Sequence, residues 1–299
     1  MVWLNQPLLL LGAVILICIL LNRFLEKIPV PSLLIFIGLG MFFGENGPFR
    51  IQFDHYALVN LVCSVCLIFI MFYGGFGTNM RAARPVLREA ALMSSLGVAG
   101  TAGAVAVFAH FALSLSWLES FLIGAVISST DAASVFNILR SQKLALKYHT
   151  DSLLEVESGS NDPMSYMLTM AAIALLSGAA FSFPLLLAKQ LLIGAFFGLA
   201  IGWLALKLLH SRLLPSQQSH TVFLFSIMVL AYAIPAEFDG NGYLSVYLCG
   251  IYIGNSKLPQ KKYLVHFLEV LTNLAQLMIF FLLGILVTPV DLQCVILAD

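Results

Sequence analysis

Long apolar runs recur from one end of this chain to the other, broken only by short polar stretches. That pattern limits the fold more than any motif does. Inside hydrocarbon every backbone N–H and C=O must find a partner within the protein, and an apolar run of about 20 residues meets that demand as a spanning helix. Composition agrees: the 299 residues are 60% hydrophobic and 10% charged, against about 25% charged in an ordinary soluble domain. The chain therefore reads as an all-α polytopic membrane protein. A net charge of zero gives no case for nucleic acid. Val2 to Leu21 lacks the basic start of a cleavable signal and is long enough to span.

About ten transmembrane helices are expected, at roughly 2–22, 31–44, 56–77, 88–114, 119–139, 150–177, 184–209, 218–235, 241–254 and 263–288. The basic residues test this count. With the N-terminus outside, the inner loops and their margins hold Arg23, Lys27, Arg81, Arg84, Arg88, Arg140, Lys143, Lys147, Lys207, Arg212, Lys257, Lys261 and Lys262. Only Arg50 and Lys189 fall outside. Cytoplasmic loops of membrane proteins carry this excess, and a missed or invented span would scramble it.

An internal echo runs through the chain. At an offset of 210 residues Gly40 falls on Gly250, Gly44 on Gly254, Gly74 on Gly284 and Thr78 on Thr288. The short second span then lands on the short ninth, and the third on the tenth. Seven spans separate the copies, an odd number, so the second copy is inverted. Short, Gly-interrupted spans at matching places mark the inverted repeats of secondary transporters, whose ion site lies near the mid-plane. The division is 1–180 as a first repeat of six spans carrying the ion site, 181–216 as a linker helix, and 217–299 as a partial second repeat of three spans. The first copy runs on for three more spans, so the second is expected to be truncated near Val290-Asp291. A natural ten-span protein with a partial repeat is the alternative.

The strongest candidate site is Leu154–Leu168, LEVESGSNDPMSYML. A carboxylate at mid-span is expensive and marks a functional position by default. Ser158, Asn161 and Asp162 share a helix face at spacings of three and four. Pro163 lacks an N–H and clashes with the carbonyl of Gly159, which frees an oxygen beside the acid, the amide and the hydroxyl. Such a cluster can hold a bare cation or a proton. Glu157 lies five residues from Asp162 and either pairs with a cation or faces the interface; Glu155 is nearer the boundary and is expected to be solvated. The fifth span carries Ser128-Ser129-Thr130-Asp131, with Asp131 near mid-span. Side chains of this kind bond backbone in place of the helix ladder, so a local unwinding is expected there. Helix packing accounts for Ser128 and Ser129 but not for Asp131.

Other features carry no chemistry. Cys63-Ser-Val-Cys66 has metal-ligand spacing but no second pair, and the cysteines are expected simply to pack. His55, His110, His149, His210, His220 and His266 form no ligand cluster. Glu89, Glu119 and Glu269 sit near span ends, and Phe72-Tyr73-Gly74-Gly75-Phe76-Gly77 allows close helix approach. Asp239 to Gly242 reads as a turn.

Thr130-Asp131 in one broken span followed by Glu157-Ser158-Gly159-Ser160-Asn161-Asp162-Pro163-Met164 in the next resembles the monovalent cation:proton antiporters, most closely the bacterial potassium/proton (cell-volume-regulation) branch. The resemblance covers nearly the whole chain and implies an inverted-repeat sodium/proton-antiporter-like fold. It places the cation- and proton-carrying carboxylate on Asp162, the metal in question being transported K⁺ or Na⁺. It puts supporting ligands on Thr130, Glu157 and Ser158, and a helix-joining role on Asp131 and Asn161. It also implies a homodimer in the cell membrane, with a dimerisation domain and a mobile core. Family members carry a second broken helix and an arginine partner for the motif glutamate, both of which would lie beyond Asp299; many in this branch add a cytosolic regulatory domain.

The expected activity is secondary active exchange, not enzymatic catalysis, with no cofactor beyond the transported H⁺ and K⁺ or Na⁺. One titratable carboxylate beside a neutral Asn161 argues for one-for-one, electroneutral exchange. Two alternatives stand beside it. Asp131 and Asp162 as a shared-proton dyad would make an intramembrane aspartyl protease, although neither lies in a Gly-x-Gly-Asp string. A cation channel would conduct without proton coupling.

Overall fold

The computed structural model describes residues 12, 13, 15–17, 20, 32–45, 47–48, 55–130, 146–178, 182–211, 216–258 and 261–287. Among these the regular structure is helical throughout. In chain order the main helices are α1 (Ser32–Phe43), α2 (Tyr56–Gly77), α3 (Met80–Leu113), α4 (Trp117–Ile127), α5 (Thr150–Leu176), α6 (Phe183–Leu209), α7 (Gln217–Glu237), α8 (Gly242–Gly254) and α9 (Lys261–Leu286). Residues 12, 13, 15–17 and 20 of the first expected span are also helical.

Five of these helices are long and apolar enough to cross a bilayer: α2, α3, α6, α7 and α9. The helices α1, α4 and α8 are apolar but short. The helix α5 has 27 residues, ample length, but Asp151, Glu155, Glu157 and Asp162 interrupt its first half. This is a multi-pass membrane protein.

One boundary differs from expectation. The fourth span begins at Met80, not near 88. Asn79 caps it by accepting from the Arg81 and Ala82 backbone N–H groups, and Pro85 sits in a 3₁₀ turn, Arg84–Val86, within its first turns. The basic residues there disguise helix as loop. A π-turn at Met93–Gly97 then interrupts the helix; Ser95 bonds the Ala91 carbonyl at 2.6 Å beside it. In the fifth span the described helix ends at Ile127 and Ser128–Thr130 leave it, as the expected local unwinding requires; residues 131–145 lie outside the described residues.

The chain divides into two compact units, Met1–Ile70 with Glu269–Asp299, and Met71–Leu268. In the first, Gly40 and Gly44 of α1 pack against backbone of α9. A β-carbon at Gly40 would press on the Phe281 carbonyl and stand 2.6 Å from Gly284 Cα, and one at Gly44 would stand 2.9 Å from the Ile285 carbonyl oxygen. Phe43, Leu277, Phe281 and Ile285 close a small core around this approach, with Ile15, Phe36 and Leu39 at its edge.

In the second unit α8 is buried along most of its length. Its Gly250 and Gly254 face backbone of α2: a β-carbon at Gly250 would meet the Phe72 carbonyl oxygen at 2.5 Å, and one at Gly254 would press on that of Phe76. Across α8, the stripe Gly194, Gly198, Gly202 of α6 packs on Asn241, Ser245 and Tyr252. Small residues let membrane helices approach until backbones touch, gaining dispersion contacts where burial from water contributes little. Gly40 and Gly44 on 281 and 285 thus parallel Gly250 and Gly254 on 72 and 76, with the partner positions one residue apart at the 210-residue offset.

Cys63, Cys66 and Cys249 carry free thiols, the last two buried. No metal-binding cluster of His, Cys, Asp or Glu is present among the described residues.

Candidate functional site

The site forms where α4 ends against the middle of α5. Ser116 and Glu119 start α4 with a reciprocal capping box, which gives Glu119 a structural task. At the other end the last carbonyls of a helix have no N–H ahead of them. Here the Ala125 carbonyl accepts from two hydroxyls instead, Ser128 at 2.7 Å and Ser165 at 2.6 Å. Ser165 belongs to α5, so the end of α4 is fixed to the helix that bears the acids. Beyond Ser128 the chain leaves the helix, and Ser129 and Thr130 present side chains and backbone to α5.

Four residues of α5 receive them. Ser129 Oγ donates to Asp162 Oδ1 and stands 3.3 Å from Asn161 Oδ1. Asn161 Nδ2 donates to Thr130 Oγ1 at 2.5 Å and to Glu157 Oε1 at 3.1 Å. Thr130 Oγ1 lies 3.5 Å from Glu157 Oε2. Ser158 Oγ donates to the Thr130 main-chain carbonyl. Asn161 is fully buried and Ser158 nearly so, whereas Asp162 and Glu157 are only half-buried. The acids keep access while the neutral groups hold the frame.

Pro163 acts through its carbonyl as well as its missing N–H. Asn241, the N-cap of α8, donates its amide to Pro163 O at 3.0 Å and accepts from Leu244 N at 3.0 Å. Its own N–H bonds the Gln190 carbonyl of α6 at 3.1 Å. The segment expected to be a plain turn thus also ties α5, α6 and α8 together beside the site.

The structure therefore brings together Thr130, Glu157, Ser158, Asn161, Asp162 and Pro163. Asp131 lies outside the described residues. Sequence reasoning assigned Ser129 to packing, yet its hydroxyl bonds Asp162 directly; its place just past the end of a short apolar helix was the available signal. Glu155, expected to be solvated, is half-buried on α5. Oxygen ligands from α5 and from the chain just past α4, two carboxylates among them, form a set suited to a partly dehydrated alkali cation or a proton.

The profile of the family described as sodium/hydrogen exchanger, transmembrane, matches residues 12–297. The chain belongs to that family. It is 37% identical over 292 residues to the K(+)/H(+) antiporter NhaP of Alkalimonas amylolytica, covering 96% of this chain and 50% of that protein. It is 36% identical over 281 residues to the K(+)/H(+) antiporter NhaP2 of Shewanella sp. (strain ANA-3), covering 92% and 48%. The chain thus spans about half the length of the curated relatives it matches. The solved structure of the sodium proton antiporter MjNhaP1 from Methanocaldococcus jannaschii at pH 8 superposes with a TM-score of 0.80 at 22% identity, covering 98% of this chain and 75% of that one. The antiporter fold expected from the sequence is the fold of this exchanger-family chain.

Proposed function

We propose that this protein exchanges a monovalent cation, K⁺ or Na⁺, for protons across the cell membrane by alternating access at Asp162. The observation that carries the reading is the Ser129–Asp162 bond within the Thr130–Asn161–Glu157 network. It sets a titratable carboxylate at mid-helix among oxygen ligands, in a family of exchangers. The relatives named as K(+)/H(+) antiporters support K⁺ as the cargo.

Asp162 holds either H⁺ or the cation. A carboxylate bearing a proton is neutral and so is one paired with K⁺, which makes the two loaded states equal in charge. Asn161 beside it stays neutral, so one exchangeable charge gives one-for-one exchange. Thr130, Ser158 and Glu157 supply oxygen ligands, and Asn161 fixes the geometry of Thr130 and Glu157. Alternating access presents the same site to each side in turn.

The proposal includes an inner-membrane location with the N-terminus outside, on the loop charges, and a homodimer, on the family resemblance. It also includes the inverted repeat of 1–180 and 217–299 about a linker at 181–216, Asp131 as a second link between the helices, and no resident cofactor. The matched glycine approaches of α1 with α9 and α8 with α2 support the repeat.

The test is proton movement driven by added K⁺ or Na⁺ in everted vesicles carrying the complete gene product. Asp162→Asn is expected to abolish exchange with both cations while the protein still inserts. Exchange that survives this substitution would remove Asp162 from the mechanism.

A further inference from the structure

Tyr247, on α8, is 2% exposed, and its ring occupies the space that a side chain at Gly159 of α5 would need. A β-carbon at Gly159 would lie 2.6 Å from the tyrosine oxygen and from Cε2 and 2.7 Å from Cζ. The hydroxyl is fully buried. The Thr78 and Ser160 side chains lie within hydrogen-bonding reach of it, and the Glu155 and Asp162 carboxylates lie within electrostatic reach. Thr78 directs its own hydroxyl hydrogen to the Gly74 carbonyl at 2.8 Å.

The spacing of α5 gives this placement its meaning. Glu155, Gly159 and Asp162 recur at intervals of four and three and so form one stripe along the helix. Pro163 cannot donate to the Gly159 carbonyl, so the stripe offers a carboxylate, a carbonyl and the exchanging carboxylate in succession. Tyr247 covers it at the glycine, between the two acids. A bulky ring laid across a row of oxygen ligands blocks passage.

We propose that Tyr247 is the gate on the cation's route between the Thr150 end of α5 and Asp162. The ring closes the route by lying on Gly159 and opens it by swinging off. The proposal rests on Asp162 being the exchange site, but its test does not require transport. Ser160→Cys, in a complete gene product whose native cysteines are replaced, provides a thiol beside the ring, and a membrane-impermeant methanethiosulfonate reports on access to it.

Adding Tyr247→Ala is expected to speed modification at least tenfold. Gly159→Ala, which puts a methyl where the ring lies, is expected to do the same, with no further gain in the double variant. Tyr247→Phe keeps the ring and is expected to label no faster than the parent. An unchanged rate in both Tyr247→Ala and Gly159→Ala, or a Phe variant as fast as Ala, overturns the gate. If Tyr247→Ala does not fold, Tyr247→Leu and Gly159→Ala carry the comparison. Fast labelling together with Asp162→Asn vesicles that still exchange cations would leave the gate standing and sink the exchange site instead.

Discussion

Asn161 donates its buried side-chain amide to the Thr130 hydroxyl at 2.5 Å, joining the middle of α5 to the unwound end of α4. The same amide reaches Glu157 at 3.1 Å, and the amide oxygen faces the Ser129 hydroxyl at 3.3 Å. Two donors and an acceptor of one side chain thus span three site residues. Asn161 is a clamp.

Cutting the clamp is expected to destabilise the protein. Asn161→Ala removes the buried amide that bonds Thr130, Glu157 and Ser129, at about 0.5–1.5 kcal/mol for each hydrogen bond lost. The melting temperature in detergent should fall by roughly 5 °C. Asn161→Asp tests the electrostatics. It sets a second carboxylate against Glu157, and the repulsion is relieved only when one of the pair takes a proton. This variant should therefore gain stability relative to the parent as the pH falls from 8 to 5. A variant whose melting temperature tracks the parent across that range would show that the two side chains separate.

Ser129→Ala removes the hydroxyl that bonds Asp162. A hydrogen bond to a charged group is worth about 1.5–3 kcal/mol. The apparent KM for the cation should accordingly rise about tenfold, with kcat within threefold of the parent and recovery in Ser129→Thr. Vesicle exchange measured over a range of cation concentrations separates the two constants. An unaltered KM would return Ser129 to the packing role that its sequence context implied.

The positions of the helices were legible because hydrocarbon demands long apolar runs, and α2 appears over the expected residues. The candidate site was legible where physics forbids an idle residue: an acid at mid-span, and a proline that denies its N–H to Gly159. Ser129 was not, because a serine at a helix end packs and bonds equally well and the sequence does not say which way it turns. Tyr247 was hidden for a related reason. Its contact depends on a missing side chain at Gly159 and on the rotation of α8, neither of which leaves a periodic mark. The early start of α3 was masked by Arg81, Arg84 and Arg88, whose charges read as loop although Asn79 caps a helix there.

Backbone approach gives a further contrast among glycines of one echo. A methyl at Gly254 or Gly284 would be driven into the carbonyls of Phe76 and Ile37 respectively. Forcing such contacts apart costs about 1–3 kcal/mol. Gly74, the repeat partner of Gly284, has open space where its β-carbon would stand, and alanine there gains up to about 1 kcal/mol of helix propensity. Gly254→Ala and Gly284→Ala should each lower the melting temperature by several degrees, and Gly74→Ala should leave it level or raise it. A drop of equal size at Gly74 would mean that glycine is needed in these helices for backbone freedom and not for close packing.

The break between α2 and α3 is held from a distance. Asn255, at the end of α8, donates to the Thr78 carbonyl at 2.9 Å and accepts from Met80 N–H at 3.0 Å. One side chain thereby bonds the backbone on both sides of Asn79. Because Asn255 is exposed, water can replace these bonds, and Asn255→Ala should change global stability by no more than about 1 kcal/mol. The local effect should be larger. Once the acceptor is gone, the Met80 amide should exchange with deuterium at least tenfold faster, read by mass spectrometry on a peptide spanning the break. Asn255→Asp keeps that acceptor while losing the donor to Thr78, so it should retain the Met80 protection. Equal exchange in the parent and the alanine variant would show that α2 and α3 hold the break by themselves.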